Sequence, residues 1–447
     1  MHNIKELTLL MKELEDQLSI CTRCGMCQAV CPVFAETGRE ADVARGKLAL
    51  LDGLAHEMFK DPKGVYKRLT RCLLCGSCAE SCPSQVSILE IFIKARVIIT
   101  SFMGLSSAQK LILRGVLASP ATFNRFLQWS IWVQKLFNKP ADKFFGTSCA
   151  RLASPLLRNR HFMPLADKPF HRLLPAQHTE SGRSGIKAAF FVGCLTDKIF
   201  PGVAQAVCDV LDHHGVGLFI PEGQGCCGLP ALTAGDTDSF EHLVNLNLEI
   251  FEKQKFDYLI TACATCAYTI KKLWPMMFRK KRSDLSDRVE KMADKTMDIS
   301  QFLVSKVGIK TGKINSDQSI AVTYHDPCHL SKSLGVSAEP RALIKANPRY
   351  CLQEMLEADR CCGSGGSFNL QHYAISSQIG KRKLTNILST GCSVVATGCP
   401  ACMIQILDML SRSQSKVVVK HTVEIYAEGL NLNDGACVEQ TGHAFIS

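Results

Sequence analysis

Cys21-Thr22-Arg23-Cys24-Gly25-Met26-Cys27-Gln28-Ala29-Val30-Cys31-Pro32 sets four cysteines apart by two, two and three residues and ends on a proline. Cys72-Leu73-Leu74-Cys75-Gly76-Ser77-Cys78-Ala79-Glu80-Ser81-Cys82-Pro83 repeats that spacing without deviation. The runs lie in a chain of 447 residues, of which 46% are hydrophobic, 21% charged and 23 are cysteine. Apart from the cysteines this is ordinary globular composition, and the length suggests about three domains, each able to bury its own core. No stretch approaches the ~18 uninterrupted apolar residues of a membrane-spanning helix. The charged opening residues Lys5, Glu6, Lys12, Glu13, Glu15 and Asp16 are unlike a secretory leader, so a cytoplasmic location is expected. Disulfide staples have no place in that reducing compartment, and so many cysteines there point to metal.

The spacing of the two runs identifies the metal. It is the bacterial ferredoxin pattern, in which three cysteines at two-residue gaps wrap one cubane 4Fe–4S cluster and the fourth, before proline, reaches across to the other. Cluster one then takes Cys21, Cys24, Cys27 and Cys82, and cluster two takes Cys72, Cys75, Cys78 and Cys31. Gly25 and Gly76 allow the tight turn that aims backbone N–H groups at sulfur. Zinc sites use four ligands, usually in two separated pairs without a Cys-Pro end, and fit poorly. The wide separation of the runs favours a helical ferredoxin domain, with a helix over Asp42 to Phe59.

Charge is uneven along the chain. The formal net charge is +11, and Ser101 to Lys187 holds thirteen Lys or Arg against Asp142, Asp167 and Glu180. That concentration argues against a general nucleic-acid binder and for one basic docking region. The segment reads as helices broken by prolines and ends in the polar stretch His178 to Gly185, the main expected boundary.

Beyond it, short apolar runs alternate with helical stretches. Strands are expected at Ala188–Val192, Gly217–Ile220, Asp257–Thr261, Ile320–Tyr324 and Val394–Thr397. Helices are expected at Val203–His213, from Glu241, after Cys266 and near Pro340. This rhythm implies parallel sheets with crossover helices. It is also a duplication: Cys194 matches Cys328 at an offset of 134, Cys226-Cys227 matches Cys361-Cys362 at 135, and Cys263/Cys266 match Cys399/Cys402 at 136. The fold class is therefore mixed: an α-helical ferredoxin domain (1–100), a basic helical linker or docking segment (101–185), and two α/β cysteine-rich domains with parallel sheets (186–315 and 316–447).

The duplicated cysteines follow strands, and ligands of parallel sheets gather at strand carboxyl ends. Cys194, Cys226, Cys227, Cys263 and Cys266 form one expected site, and Cys328, Cys361, Cys362, Cys399 and Cys402 the other. Each Cys-x-x-Cys opens a helix whose N-terminus favours thiolate. Adjacent cysteines in extended chain point apart, which suits an assembly of several irons better than one tetrahedral zinc.

Tandem Cys-Cys-Gly domains behind a two-cluster ferredoxin resemble the iron–sulfur subunit of glycolate oxidase and its lactate dehydrogenase relatives. Tyr324-His325-Asp326-Pro327-Cys328-His329, Arg360-Cys361-Cys362-Gly363-Ser364 and Val395-Ala396-Thr397-Gly398-Cys399-Pro400-Ala401-Cys402-Met403 carry the resemblance. The same domains occur in the third subunit of anaerobic glycerol-3-phosphate dehydrogenase and in heterodisulfide reductases. The resemblance implies two cubane clusters, with one or two further clusters, cubane or non-cubane, in the Cys-Cys-Gly domains. It also implies a separate FAD-containing dehydrogenase subunit as electron donor, and an onward carrier or membrane quinone site as acceptor, with the chain then peripheral at the inner membrane face. One departure is the complete Cys263/Cys266 pair in the first repeat, the form that in heterodisulfide reductases holds disulfide-cleaving non-cubane clusters.

The remaining residues read more plainly. His325 and His329 flank Cys328 and are placed to serve a cluster, or simply to pack in a polar loop. Cys149, Cys208, Cys351, Cys392 and Cys437 fall outside every motif and read as ordinary thiols. Arg279-Lys280-Lys281-Arg282 reads as a solvated helix end. Phe123, Phe126, Trp129, Trp132 and Phe137 form an aromatic, basic helix that is core, partner-docking surface or membrane-surface helix. Gly363-Ser364-Gly365-Gly366 lacks dinucleotide-binding spacing, and no flavin or nicotinamide site is expected in this chain.

Overall fold

In the computed structural model, residues 12–430 are described apart from 13, 59, 138–140, 143, 150–159, 280–283 and 310–318. Each cysteine run folds as a loop that turns into a short helix, Met26–Val30 in the first and Ser77–Glu80 in the second. Gly25 and Gly76 precede these helices at φ +86° and +80°, where a side chain would be strained. Arg23 and Leu74 take positive φ at matching places, so the loops repeat in backbone as well as in sequence. The two helices pack against each other, which brings the distant runs together. The helix expected over Asp42 to Phe59 spans Ala44–Ala55; Glu57, at φ +54°, turns the chain away beyond it, and residue 59 lies outside the described residues.

The helix Ile88–Met103 is the spine of this helical part, and it runs across residue 100. Ile91, Phe92, Ile93, Ala95, Val97, Ile98 and Ile99 are all buried in its middle. At about 2 kcal/mol for a large apolar side chain, they dominate the local stability. A buried guanidinium on the same helix ties three elements together. Arg96 donates to the carbonyls of Leu69 (2.6 Å), Cys72 (3.1 Å) and Thr233 (3.3 Å).

Residues beyond 176 build two sheets. The first has the order β1-β3-β2-β4-β5, with β1 Gln177–His178, β2 Lys187–Phe190, β3 Gly217–Ile220, β4 Tyr258–Thr261 and β5 Thr296–Asp298. Its pairings are parallel except at the edge, where β1 runs antiparallel to β3. The polar stretch expected as a boundary is thus stitched to the sheet, and Thr179 and Gly182 extend the contact by donating to Leu218 and Gly215. The second sheet is wholly parallel, in the order β7-β6-β8-β9, with β6 Ile320–His325, β7 Tyr350–Gln353, β8 Val394–Thr397 and β9 Val418–His421.

The repeats pack reciprocally. Helix Ala264–Tyr268 of the first lies against Cys328–Leu334 of the second, and Cys194–Lys198 lies against Pro400–Arg412. The helical part sits on both: Tyr66 and Thr100 donate to the Ala234 carbonyl, and Lys332 pairs with Glu80 at 3.1 Å.

Gly235 lies tightly against the spine helix. Its φ is +82°, and a Cβ there would meet Thr100 Oγ1 at 2.5 Å and the Arg96 carbonyl at 2.7 Å. Gly235→Ala should therefore cost about 2 kcal/mol or more, through strain and overlap together. Chemical denaturation of the full chain measures this, and an unchanged midpoint would mean that the contact does not stabilise the assembly.

Candidate metal centre

Cys21, Cys24, Cys27 and Cys82 line one cavity whose walls include Ala44, Leu48, Val86 and Ile88; Cys78 also reaches it. The four thiols that spacing assigns to cluster one are thus together, with the second run supplying the crossing member. Cys24 is exposed, so the cavity meets the surface there. Cys31, Cys72, Cys75 and Cys78 form the neighbouring group. Backbone N–H groups point at its sulfurs as the tight loops require, from Phe34 to Cys31 and from Leu74 to Cys72, both at 3.4 Å. Burial pushes the Cys31 thiol up to about 11. Lys47, itself buried and lowered by desolvation, faces Cys31 and Cys72 with a compensating positive charge. The donor set, the amides aimed at sulfur and the buried cation together fit iron–sulfur clusters.

In the duplicated half every cysteine of the two blocks stands beside another. Neighbouring thiols run from Cys194 to Cys226, Cys227, Cys266 and Cys263 in the first repeat. Cys263 then meets Cys399, and the row continues through Cys402, Cys362 and Cys361 to Cys328 in the second. The two expected sites are therefore adjoining groups that meet where the repeats pack. Ala264 N–H donates to the Gly398 carbonyl at the same junction. At the far end Cys361 touches Cys75, so the row joins the ferredoxin part.

Strand ends and helix starts set this row. Cys263 and Cys399 are the N-caps of helices Ala264–Tyr268 and Pro400–Arg412. Gly193, at φ +79°, lets the chain pass so close to Cys266 that a Cβ there would lie 3.2 Å from its Sγ. In the Cys-Cys-Gly loops, Asn247 and Trp274 anchor the carbonyls of Cys226 and Cys227 at 3.0 and 2.9 Å. Cys227 and Cys362 are both held well below the usual thiol range, the first by Cys226 and Cys266, the second by Cys361 and Cys402. Each repeat thus has a thiol predisposed to the thiolate that metal binding needs.

The histidines have different surroundings. His329 spans three parts of the molecule: Nδ1 is 3.3 Å from Thr265 Oγ1, Nε2 is 3.2 Å from the Leu74 carbonyl, and the ring stacks on Tyr268 at 4.7 Å. Thr265 Oγ1 is in turn 3.6 Å from Cys399 Sγ. His325 is fully buried, and desolvation takes its imidazole down to about 3. The turn between the two is clamped by Asp326, which accepts both Arg341 Nη groups at 2.8 and 2.7 Å.

Several residues around the row carry no motif in the sequence. Lys383 is buried and donates to the carbonyls of Glu357 and Ala358 beneath Cys361 and Cys362. Desolvation pulls its ammonium down to about 8, with the thiols of Cys362 and Cys361 opposing. Asn247 holds the matching place in the first repeat, each residue being equally far from the start of helices Thr237–Phe251 and Tyr373–Leu388. Likewise Phe191 precedes Cys194 by the three residues that separate His325 from Cys328. Asp298 and His421 form a third pair, as strand-end N-caps opposite Thr261 and Thr397. All three exchanges make the second site more basic than the first.

The residues outside the motifs have simple settings. Cys208 and Cys392 are buried, Cys149 and Cys351 half-buried, and Cys437 lies outside the described residues. Phe126 and Trp129 are exposed on helix Pro120–Phe137, so they are not core; Phe123 is half-buried, and the Trp132 and Phe137 side chains lie outside the described residues. Arg279 follows helix Trp274–Phe278, and residues 280–282 are likewise outside.

Comparison with known proteins identifies the domains. The 4Fe-4S dicluster domain matches residues 17–86, and the cysteine-rich domain matches twice, at 188–271 and 322–407. The chain belongs to the iron–sulfur proteins in which a dicluster domain precedes tandem cysteine-rich domains. It is similar to the probable glycolate oxidase iron-sulfur subunit of Bacillus subtilis, 27% identical over 428 residues, covering 93% of this chain and 94% of the relative. It is also similar to one of the subunits of the fumarate reductase (CoM/CoB) of Methanothermobacter marburgensis, 29% identical over 405 residues and covering 88% of this chain and 68% of the relative. Lactate utilization protein A 2 of Bacillus cereus is 29% identical over 246 residues, 55% of this chain and the whole of the relative.

The crossing ligand gives a direct test of the paired runs. Cys82→Ala should disturb the cluster built on Cys21, Cys24 and Cys27 and leave the other's spectrum in place. Electron paramagnetic resonance of the reduced, anaerobically prepared chain distinguishes the two, and loss of the second cluster instead would overturn the pairing.

Proposed function

We propose that the chain is the electron-transferring subunit of an oxidoreductase, taking electrons from an FAD-containing dehydrogenase subunit that oxidises a 2-hydroxy acid such as lactate or glycolate. The observation that carries this reading is the unbroken succession of thiols from the exposed Cys24 cavity, through Cys75 and Cys361, to Cys194. Iron–sulfur clusters supply one-electron transfer along such a path. The first cubane is held by Cys21, Cys24, Cys27 and Cys82, and the second by Cys72, Cys75, Cys78 and Cys31. The two five-cysteine groups hold one or two further clusters. Buried Lys47, Arg96 and Lys383 offset the negative charge of thiolate-bound iron, which apolar surroundings would otherwise oppose.

Among the described residues no helix is long and apolar enough to cross a membrane. The exposed Phe126 and Trp129, within the basic segment, suit contact with a partner subunit or a peripheral position at the inner membrane face. Electrons leave to a further carrier or a membrane quinone.

A second reading is a disulfide- or quinone-reducing subunit of heterodisulfide reductase type. The meeting of Cys263 and Cys399 between two complete five-cysteine groups favours it, as does the likeness to a protein of the fumarate reductase (CoM/CoB).

The isolated chain should contain iron but no flavin and should not oxidise lactate or glycolate. Adding the flavoprotein should let substrate bleach its clusters, with coupling weakened by salt if the basic segment docks the partner. Turnover of a disulfide by the dithionite-reduced chain alone, abolished in Cys402→Ala, would establish the second reading instead.

Cys227→Ala and Cys362→Ala should each lose iron from one repeat while the ferredoxin signals persist. Full iron and unchanged spectra in both variants would make the duplicated cysteines structural.

A further inference from the structure

Three imidazoles lie along the thiol row, and two of them are fully used. His329 has Thr265 Oγ1 on one nitrogen and the Leu74 carbonyl on the other. His421 accepts from Val423 N–H at Nδ1 and donates from Nε2 to the Ala262 carbonyl at 3.0 Å. His325 has a partner on one side only. Its Nδ1 lies 3.2 Å from the Ala358 carbonyl, and its Nε2 is buried without any partner.

The free nitrogen has an unambiguous chemical state. A carbonyl oxygen can only accept, so the proton sits on Nδ1 and Nε2 presents a bare lone pair. Lys383 also donates to the Ala358 oxygen and fixes its place. An imidazole with Nδ1–H anchored on a carbonyl and Nε2 open is the arrangement found in metal-ligating histidines, where the outer hydrogen bond sets tautomer and ring orientation. A buried lone pair facing nothing is otherwise a cost that native structures avoid.

The ring stands beside the second sulfur group. Ligand atoms of His325, Cys362 and Cys402 lie within 4.8 Å of one another, and all three residues are buried. Cys402 stands directly beside Cys362 there. The first repeat offers no such nitrogen, because Phe191 stands in the matching place and packs against Phe251 at 5.9 Å.

We propose that His325 ligates iron through Nε2 in the second cysteine-rich site, beside Cys362 and Cys402, whereas the first site is ligated by cysteine alone. The proposal rests on the reading that the second five-cysteine group holds iron. It makes the two sites chemically different despite their shared spacing. Replacing thiolate by neutral imidazole removes negative charge from a cluster and raises its reduction potential, as in Rieske centres.

The test uses the full-length chain, loaded with iron anaerobically and grown with 15N-histidine. Pulsed electron paramagnetic resonance of the reduced protein should show one strongly coupled histidine nitrogen. His325→Cys should abolish that coupling, keep the iron content and lower the midpoint of the second-site signal. His325→Phe, which copies the first repeat, should abolish the coupling too. A wild type with full iron and no strongly coupled histidine nitrogen overturns the proposal, as does coupling that survives in both variants. Iron analysis of Cys362→Ala separates the two levels of the argument. Unchanged iron there defeats the underlying assignment, whereas lost iron without a nitrogen signal in the wild type defeats the His325 ligand alone.

Discussion

The thiols of Cys227 and Cys362 lie in surroundings that exclude water and yet favour the charged form, because two neighbouring thiols donate to each. Burying a lone anion would cost far more than a folded chain can spare. The rest of the architecture follows from making that burial tolerable. Strand ends converge so that sulfur stands beside sulfur, and helices start at Cys263 and Cys399 so that their positive ends face the row. Backbone N–H groups turn toward Cys31, as the N-cap of helix Pro32–Thr37, and toward Cys72, from the left-handed Leu74.

Cations enter the interior for the same reason. Lys47, Arg96 and Lys383 are buried, each beside thiols and each satisfied mainly by backbone carbonyls rather than by carboxylates. A carboxylate partner would cancel the charge the sulfurs need; a carbonyl satisfies the donor and leaves that charge available. The surface shows the opposite arrangement. Arg23 pairs with Asp52, and Arg288 with Glu252, where water already screens the charges and little energy is at stake.

Cysteine spacing made the two ferredoxin groups and the duplicated blocks legible in the sequence alone, because ligand geometry is written into short intervals. Strands Gly217–Ile220 and Val394–Thr397 were equally readable, being apolar and buried on both faces. Thr296–Asp298 was not: as a short edge strand of Thr, Met and Asp it lacks the apolar run that marks a central one. Gln177–His178 is polar and gains its strand character only by pairing with Phe219 and Ile220. The joining of the two sulfur groups at Cys263 and Cys399 was also invisible, since it depends on how the repeats dock. Lys383, within Lys381-Arg382-Lys383, reads as one more solvated base until the helix is placed on the Cys-Cys-Gly loop.

The seam between Cys75 and Cys361 bears on how the molecule is made. It is closed by contacts between chain segments far apart in sequence, from Leu73 against Gly365 to Thr70 against His372 and Lys332 against Glu80. Such long-range pairings are slow to form, because loop entropy is lost before the contacts reward it. Closing the seam covers Cys75, Cys361 and Cys362, whereas Cys24 stays exposed. At this seam the docking of the ferredoxin part and the burial of sulfur are one event, while the Cys24 cavity stays open to solvent.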